Sequence, residues 1–197
     1  MKCLACDIEV ISSKQCLCHE CWSEIVFLPK NHEKIHSLVE YNTVIRKLIH
    51  IFKYSSPWKL SGLFVDWISL MYGDFLEEID VILPVPMHKY KLMSRSYNQV
   101  AVLCRKIAKK YNKKCFVNVL TKIKNTHSQS LLDRDLRLTN VIDSFHIKKP
   151  HLLDCKKVLV IDDVITTGTT MTECIKTIQN LSNPNDVMGL CIASTKN

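Results

Sequence analysis

The chain has 197 residues, of which 47% are hydrophobic, and it carries a formal net charge of +8. This length and apolar content favour one main globular domain with room for a small appendage. No stretch approaches the roughly 20 apolar residues that a membrane-spanning helix needs, and nothing near the start resembles a signal peptide. These features exclude an integral membrane or secreted protein, so we expect a cytoplasmic protein whose ten cysteines are reduced or metal-bound.

Two CxxC pairs near the start of the chain predict a metal site, with the candidate ligands Cys3, Cys6, Cys18 and Cys21. Tetrahedral Zn²⁺ takes four soft ligands, and each CxxC turn presents two thiolates to one ion. Cys16 and His19 are competing ligands, and a redox-active dithiol is the alternative for either pair alone. We expect a structural zinc ion that supplies the folding free energy of a module over residues 1–28, because so short a segment has little apolar surface.

A connector is predicted over residues 29–40, where His32 and His36 are expected at the surface, and the remaining elements alternate. Apolar patterning predicts helices over 43–54, 58–72, 97–111, 130–140 and 169–181, and strands over 80–85, 115–120, 157–161 and 186–193. Ser96 and Gln99 match a capping box at the start of the third helix. The alternation predicts an α/β fold over residues 41–197, with a mostly parallel sheet flanked by helices and a ligand site beyond the carboxyl ends of the strands.

The stretch over residues 158–170, VLVIDDVITTGTT, carries the strongest functional signal. Its apolar β-branched run predicts a buried parallel strand that ends at two carboxylates, Asp162 and Asp163. The hydroxyl-rich loop that follows contains Thr166, Thr167, Gly168, Thr169 and Thr170. Backbone N–H groups and the positive end of the next helix can hold a phosphate, while the carboxylates can bind vicinal ribose hydroxyls or hold Mg²⁺ through water. A Ser/Thr-rich helix cap with a neighbouring Asp is the alternative.

Positive charge is concentrated in one block of the sequence. Residues 81–132 contain no Asp or Glu but eleven Lys and Arg, so ion pairs within the block are impossible. The candidate nucleic-acid-binding residues are Lys89, Lys91, Arg105, Lys106, Lys109, Lys110, Lys113, Lys114, Lys122 and Lys124. A surface for nucleic acid or an anionic membrane and an ordinary solvated basic face are both compatible with the block. Stacking faces among these charges are offered by Tyr90, Tyr97, Tyr111 and Phe116, for each of which core packing is the alternative.

Several segments resemble known families. The stretch over 158–170 resembles the phosphoribosyl pyrophosphate (PRPP) signature of type I phosphoribosyltransferases. Residues 84–89 together with residues 95–99 are similar to the PVPxHxx…RGxNQ stretch of ComF-type (GntX-like) proteins, and Cys21-Trp22 matches as well. Further matches to that family are Thr126, Gln129, Leu132, Arg137, Asn140 and Phe145. The chain is therefore identified, over essentially its whole length, as similar to the ComF family of competence proteins.

The resemblance implies a type I phosphoribosyltransferase-like sheet in a cytoplasmic protein of natural transformation. Such a protein handles incoming single-stranded DNA with a helicase-like partner, and it can associate peripherally with the inner face of the inner membrane. The resemblance places Asp162 and Asp163 on the ribose hydroxyls, with or without Mg²⁺, and residues 166–170 on the 5′-phosphate of PRPP. It also implies a pyrophosphate loop with Arg95 as an anion partner, the loop residues being Val85, Pro86, Met87, His88 and Lys89. It assigns no catalytic side chain.

Two residues depart from the patterns of these families. Ser96 stands where the ComF-type motif has Gly, so that a turn with positive φ would be strained there. Thr166 stands where purine-salvage enzymes of the wider fold have an Asp, and Thr cannot act as a general base near neutral pH. We therefore place the binding of single-stranded DNA, through a redeployed phosphate site and basic side chains, before transfer of ribose 5-phosphate from PRPP to an unknown acceptor.

Overall fold

The computed structural model describes residues 2–10, 16–30, 33–55, 57–87, 92–93, 95, 97–123 and 144–195. The helix expected over 130–140 lies outside the described residues. The motif positions that also lie outside them are Thr126, Gln129, Leu132, Arg137 and Asn140. The same is true of other residues that the sequence analysis named, which are His32, His88, Lys89, Tyr90, Lys91, Ser96 and Lys124.

Helices and strands are interspersed along the described part of the chain. Its α-helices are α1 (His19–Ser23), α2 (Thr43–Tyr54), α3 (Pro57–Glu78), α4 (Gln99–Lys110) and α5 (Thr169–Leu181). Its strands are β1 (Ile35–Glu40), β2 (Val81–Pro84), β3 (Lys114–Cys115), β4 (Leu120–Lys122), β5 (Phe145–Ile147), β6 (Lys157–Ile165) and β7 (Asp186–Ser194). A 3₁₀ turn covers Pro150–Leu152. Within the described residues, no helix is long and apolar enough to cross a membrane.

Five strands form one parallel sheet in the order β1-β7-β6-β2-β3. Strands β4 and β5 form a separate antiparallel ribbon. A parallel sheet is covered on both faces, which explains why β2 and residues 158–161 of β6 are continuous apolar runs and are buried throughout. The predicted α/β fold with a mostly parallel sheet is confirmed.

Helices cover both faces of this sheet because successive side chains of a strand point to opposite sides. Leu159 and Ile161 of β6 belong to the core that α2, α3 and α4 form on one face. Val158 and Val160 belong to the core on the other face, where α5 and the β4–β5 ribbon pack. The side chains of neighbouring β6 residues therefore point towards different helical layers of the molecule.

Helix α2 begins and ends where the sequence predicted. The Asn42 side chain caps it by accepting a hydrogen bond from the Ile45 N–H at 2.9 Å. Its predicted apolar stripe is buried, and consists of Val44, Ile45, Leu48, Ile49 and Phe52. Helix α3 is interrupted at Tyr72, where the sequence predicted its end: Tyr72 has non-helical dihedrals, with φ −128° and ψ 17°. A second helical segment continues beyond this kink to Glu78, which the sequence did not predict.

Two predicted strands have different bounds in the structure. The strand expected over 115–120 is wrong, because β3 pairs with β2 in the main sheet whereas β4 pairs with β5 in the ribbon, and a turn around Asn118 separates them. The strand expected over 157–161 continues to Ile165, because β7 offers pairing partners as far as Ser194. The two carboxylates thus lie within β6 and do not follow it.

The start of α4 and the connector also differ from expectation. Asn98 is the N-cap of α4 and accepts from the N–H groups of Val100 and Ala101, so a capping box that begins at Ser96 is wrong. Residues 35–40 of the expected connector form β1, an edge strand of the main sheet. His36 is buried beside the Tyr72 ring and is not at the surface.

The N-terminal residues pack against the rest of the molecule. The rings of Trp22 and Phe27 each lie 5.6 Å from the Trp67 ring of α3 in edge-to-face contacts. Phe27 also forms an isolated antiparallel bridge with Val39 of β1. The cysteine-rich segment is therefore joined to the main core by aromatic packing.

Candidate functional site

The loop between β6 and α5 has the geometry of an anion site. Gly168 is the N-cap of α5 and has a left-handed backbone, with φ 82° and ψ −8°, which glycine adopts without strain. It offers no side chain to cap the helix, so the backbone N–H groups of the first turn face the loop. The hydroxyls of Thr167 and Thr169 lie 2.9 Å apart and are hydrogen-bonded. Backbone donors and hydroxyls at a helix N-terminus together suit a phosphate group.

A cavity of about 40 Å³ lies within this loop. Residues 166–168 and Thr170 line it together with Asp162 of β6 and Cys191 of β7. It is too small for a whole nucleotide and suits one small anionic group. The structure thus brings Asp162 and most of the predicted phosphate-binding residues to one place.

Asp162 lies on the α5 face of the sheet. Burial, and after it the neighbouring charge of Asp163, raises the pKa of Asp162 to about 7. The Asp163 N–H donates to Asp162 Oδ1 at 2.8 Å, and the charges of Lys53 and Lys122 favour the ionised form, but these effects do not cancel burial. Near neutral pH this carboxyl exchanges between its acid and its carboxylate, and a bound cation would favour the carboxylate.

Asp163 points to the other face of the sheet and is 7% exposed. Its Oδ1 lies 3.0 Å from Lys53 Nζ of α2, and its Oδ2 accepts a hydrogen bond from Gln99 Nε2 of α4 at 2.7 Å. The carboxylate therefore joins two helices to β6, and it does not line the loop cavity. Gln99 Oε1 is also buried and has no hydrogen-bond partner in the structure.

Sequence reasoning missed Lys53 and Gln99 as site residues. Gln99 stands inside the motif over 95–99, which was a signal for it, but it was read there as a helix-capping residue. Lys53 had no local signal, since it is 110 positions from its partner Asp163.

The described part of the expected pyrophosphate loop begins beside the carboxylates. Val85 follows β2, and its N–H donates to the Ile161 carbonyl of β6 at 2.8 Å. Asn98 Nδ2 donates to the Val85 carbonyl at 3.2 Å and ties this loop to α4. Arg95 lies against Tyr54, with a hydrogen bond of 2.7 Å to its hydroxyl and the guanidinium 4.7 Å from its ring centre. The loop therefore starts at the same edge of the sheet as Asp162.

The four predicted metal ligands form a compact cluster. The sulfur atoms of Cys3, Cys6, Cys18 and Cys21 all lie within 4.8 Å of one another. Sulfurs at about 2.3 Å from a tetrahedral zinc ion are about 3.8 Å apart, so the cluster has the size of a zinc site. Within the described residues, this group includes neither Cys16 nor His19, the competing ligands.

The chemistry of this cluster fits a cation. Burial, and then the neighbouring sulfurs of Cys6, Cys18 and Cys3, raises the pKa of Cys21. Four thiolates this close repel one another unless a positive ion lies among them. The N–H groups of Ala5 and Cys21 point at the sulfurs of Cys3 and Cys18, as the turns of a metal knuckle require. The cluster could therefore hold a metal ion.

Part of the basic block serves packing between α4 and α3. Lys110 forms an ion pair of 3.7 Å with Asp66, and Lys113 Nζ donates to the Glu77 carbonyl at 2.6 Å. Lys106 donates to the Trp58 carbonyl. Although the block contains no acidic residue, Lys110 therefore has an acidic partner, Asp66, in another helix. The exposed members among the described residues are Arg105, Lys109, Lys110 and Lys114.

A groove of about 560 Å³ lies between α4, the loop after β2 and the β4–β5 ribbon. The basic residues along it are Arg105, Lys122 and Lys148. Aromatic faces come from Tyr97 and from Trp58, which is 65% exposed. Of the other expected stacking residues, Tyr111 and Phe116 pack against the two cores, as the core alternative predicted. We call this feature the ribbon groove.

Comparison with known sequences gives relatives at modest identity. No family model matches the chain. The chain is 28% identical over 103 residues to Competence protein F of Haemophilus influenzae, a match that covers 52% of this chain and 45% of that protein. It is 23% identical over 150 residues to DNA utilization protein YhgH of Escherichia coli, covering 74% of this chain and 65% of that protein. The predicted resemblance to ComF-type proteins is confirmed, although the matches span only about half to two thirds of these relatives.

Solved structures with a similar course of the chain include phosphoribosyltransferases. An adenine phosphoribosyltransferase is 14% identical, with a TM-score of 0.46 and coverage of 70% of this chain and 71% of that one. Orotate phosphoribosyltransferase from Aeropyrum pernix is also 14% identical, with a TM-score of 0.42 and coverage of 88% and 86%. Because both TM-scores are below 0.5, the fold stated above depends on the strand order and parallel pairing of this chain itself.

Proposed function

We propose that the chain binds and handles single-stranded DNA in natural transformation, through a phosphate site at residues 166–170 and the basic ribbon groove. The position of Lys122 is the observation that carries this proposal. Lys122 lines the ribbon groove, and it is close enough to Asp162 for its charge to act on the pKa of that carboxyl. A basic, aromatic groove that adjoins a phosphate-type loop matches a chain of phosphates and bases. The names of the two relatives, which concern competence and DNA utilization, agree with it.

The chemistry assigned to the loop is that of a phosphosugar site. Thr166, Thr167, Gly168 and Thr170 would hold a 5′-phosphate, either of PRPP or of DNA, and Asp162 would accept a ribose hydroxyl or bind Mg²⁺. Asp163 would contribute only if it left Lys53 and Gln99. A structural zinc ion on the four clustered cysteines would hold the N-terminal module, residues 1–28, against the domain over 41–197.

A salt series in a mobility-shift or anisotropy assay tests the DNA proposal. Labelled single-stranded oligonucleotide should bind at low salt and be released steeply as salt rises. Arg105→Gln/Lys122→Gln should weaken this binding, whereas Lys34→Gln/Lys157→Gln removes two charges at the amino edge of the sheet and serves as the matched control. Absence of binding by the unaltered protein at low salt would refute the proposal.

The alternative function is transfer of ribose 5-phosphate from PRPP to an unknown acceptor. Asp162 beside the loop cavity favours it, since positioning and stabilisation of the departing pyrophosphate are the main needs of this chemistry. Release of pyrophosphate from PRPP in the presence of a base or nucleotide would establish it. A broad acceptor screen without release, in a protein that still binds DNA, would count against it.

The cellular context is also a proposal. We infer a cytoplasmic protein that works near the inner face of the inner membrane with a helicase-like partner, as the ComF resemblance implies. Co-purification from competent cells, with and without nuclease treatment, would separate a direct protein partner from one that is bridged by DNA.

A further inference from the structure

A second groove in the described part of the molecule lies outside every residue assigned so far to DNA. Its volume is about 620 Å³, and it runs between the outer face of α2 and the first CxxC turn. Leu4, Ala5 and Asp7 form one wall, and α2 with the residue before its cap forms the other. We call it the α2 groove. Among the residues that the structure describes, the basic block over 81–132 contributes no side chain to it.

The α2 wall of this groove is strongly basic. Helix α2 contains no acidic residue, and its groove face presents Arg46, Lys47, His50 and Lys53. Arg46 and Lys47 are exposed, and neither takes part in an ion pair within the described residues. Asp7 is the one acid among the residues that line the groove. The charge is therefore available to a polyanion and is not consumed by packing, in contrast to that of Lys110.

Tyrosines stand at both ends of the same wall. Tyr41, 36% exposed, precedes the cap of α2, and Tyr54, 56% exposed, is its last residue. At 1.5 Å per residue they are about 20 Å apart, a length that spans several nucleotides of one strand. The ring of His50 lies 4.9 Å from that of Tyr54 and widens this aromatic surface. Exposed rings among cations are what unpaired bases and phosphates together require.

The groove ends beside Asp163, at the same edge of the sheet as the phosphate-type site but on the opposite face. Lys53 lines the groove and forms the ion pair with Asp163 of β6. Tyr54 also lines the groove, and its hydroxyl and ring contact Arg95 from the segment that follows β2. A strand that lies along α2 would therefore reach the edge of the sheet where Asp162 and the loop over 166–170 are found. The last turn of α2, which contains Lys53 and Tyr54, therefore joins the α2 groove to this edge of the sheet.

We propose that the α2 groove is a track for single-stranded DNA, with Arg46 and Lys47 on the phosphates and Tyr41 and Tyr54 on the bases. The inference rests on the proposed function and extends it, because it places the DNA strand between α2 and the first CxxC turn as well as in the ribbon groove. A single strand is the fitting occupant, since bases paired within a duplex cannot stack on the tyrosines. An acidic protein would satisfy the charges but would leave the two exposed rings unexplained.

The test is anisotropy of a labelled oligothymidylate with zinc-loaded, full-length protein over a salt series. Each phosphate contact on a single strand contributes about 0.7 to the slope of log affinity against log salt. Arg46→Gln/Lys47→Gln should therefore reduce the slope by about 1.4 and weaken binding at low salt. Tyr41→Leu should weaken binding with an unchanged slope. Thermal unfolding of each variant checks that the fold is retained.

The control is again Lys34→Gln/Lys157→Gln, which carries the same charge change and should keep the slope of the unaltered protein. If the unaltered protein binds and Arg46→Gln/Lys47→Gln binds with the same slope, the track is overturned while the DNA function stands. If the unaltered protein does not bind, the proposed function fails with it. An equal loss of duplex binding in the variant would also overturn the assignment to a single strand.

Discussion

Replacing Asp163 with Asn should destabilise the folded protein by loosening α2 and α4 from β6. The carboxylate accepts from Gln99 Nε2 at 2.7 Å and pairs with Lys53 Nζ at 3.0 Å. Asn keeps the size of the side chain and one acceptor oxygen, but it removes the charge that Lys53 faces. The ammonium group is then left in a largely buried position without its nearest counter-ion, which costs more than the hydrogen bond alone.

The exposure of the Lys53 and Asp163 side chains determines how much stability the substitution should remove. Breaking a fully buried pair costs about 3–5 kcal/mol, and one charge-assisted hydrogen bond contributes about 1.5–3 kcal/mol. The Lys53 side chain is 24% exposed and that of Asp163 is 10% exposed, so water can partly solvate the lone ammonium group. We therefore expect a loss of about 2 kcal/mol in the free energy of unfolding. Lys53→Met/Asp163→Asn should lose less than the sum of its single variants, with a coupling of about 1.5 kcal/mol.

Urea unfolding of the zinc-loaded protein, followed by circular dichroism, measures these values. Asp66→Asn is the matched control, because its ion pair with Lys110 is exposed and its loss should change stability by less than about 0.5 kcal/mol. An Asp163→Asn protein with an unchanged urea midpoint would refute the reasoning. So would additive single variants, since additivity means that Lys53 and Asp163 do not stabilise each other.

Three further changes test other parts of the site. Burial raises the pKa of Asp162 from 3.8 to about 7, so the free energy of unfolding should fall as pH rises between these values. Asp162→Asn should remove this fall from the pH dependence of the urea midpoint. Identical pH profiles for the two proteins would contradict the raised pKa. Gly168→Ala forces a side chain into a left-handed backbone and should cost about 1–2 kcal/mol while weakening binding of inorganic phosphate in calorimetry; an unaffected variant would mean that the loop does not need φ 82°. Removal of metal by a chelator should change tryptophan fluorescence, because Trp22 packs on Trp67 beside the cysteine cluster; less than one equivalent of zinc in cleanly purified protein would count against a zinc site.

Local patterns predicted the elements whose signals are local. Helix α5 has the predicted bounds Thr169–Leu181, and its buried residues Met171, Ile175 and Ile178 recur at helical spacing. The CxxC pairs came together as expected, because each pair is a single turn and only one long-range closure is needed. The loop over 166–170 is likewise continuous in sequence, and so its cavity could be anticipated.

Features that depend on a distant partner could not be read from the sequence. Strand β1 looked like a polar connector, and it is a strand because β7 provides its hydrogen bonds. Asp162 and Asp163 looked like one paired site, yet continuation of β6 through both of them turns their side chains to opposite faces. Once that alternation is imposed, Asp163 meets Lys53 and Gln99, and no local pattern encodes that encounter.

The ring contacts of Trp67 extend further into the molecule than the N-terminal module. Trp67 lies 5.7 Å from Phe64, and Phe64 lies 5.2 Å from Phe52 of α2, so rings in contact lead from the cysteine cluster to the helix that carries Lys53. Removal of residues 1–28 would take Trp22 and Phe27 away from these ring contacts and expose Trp67 to water. A shortened chain should therefore be prone to aggregation, and protein made for binding assays needs to keep residues 1–28 even where only the sheet is of interest.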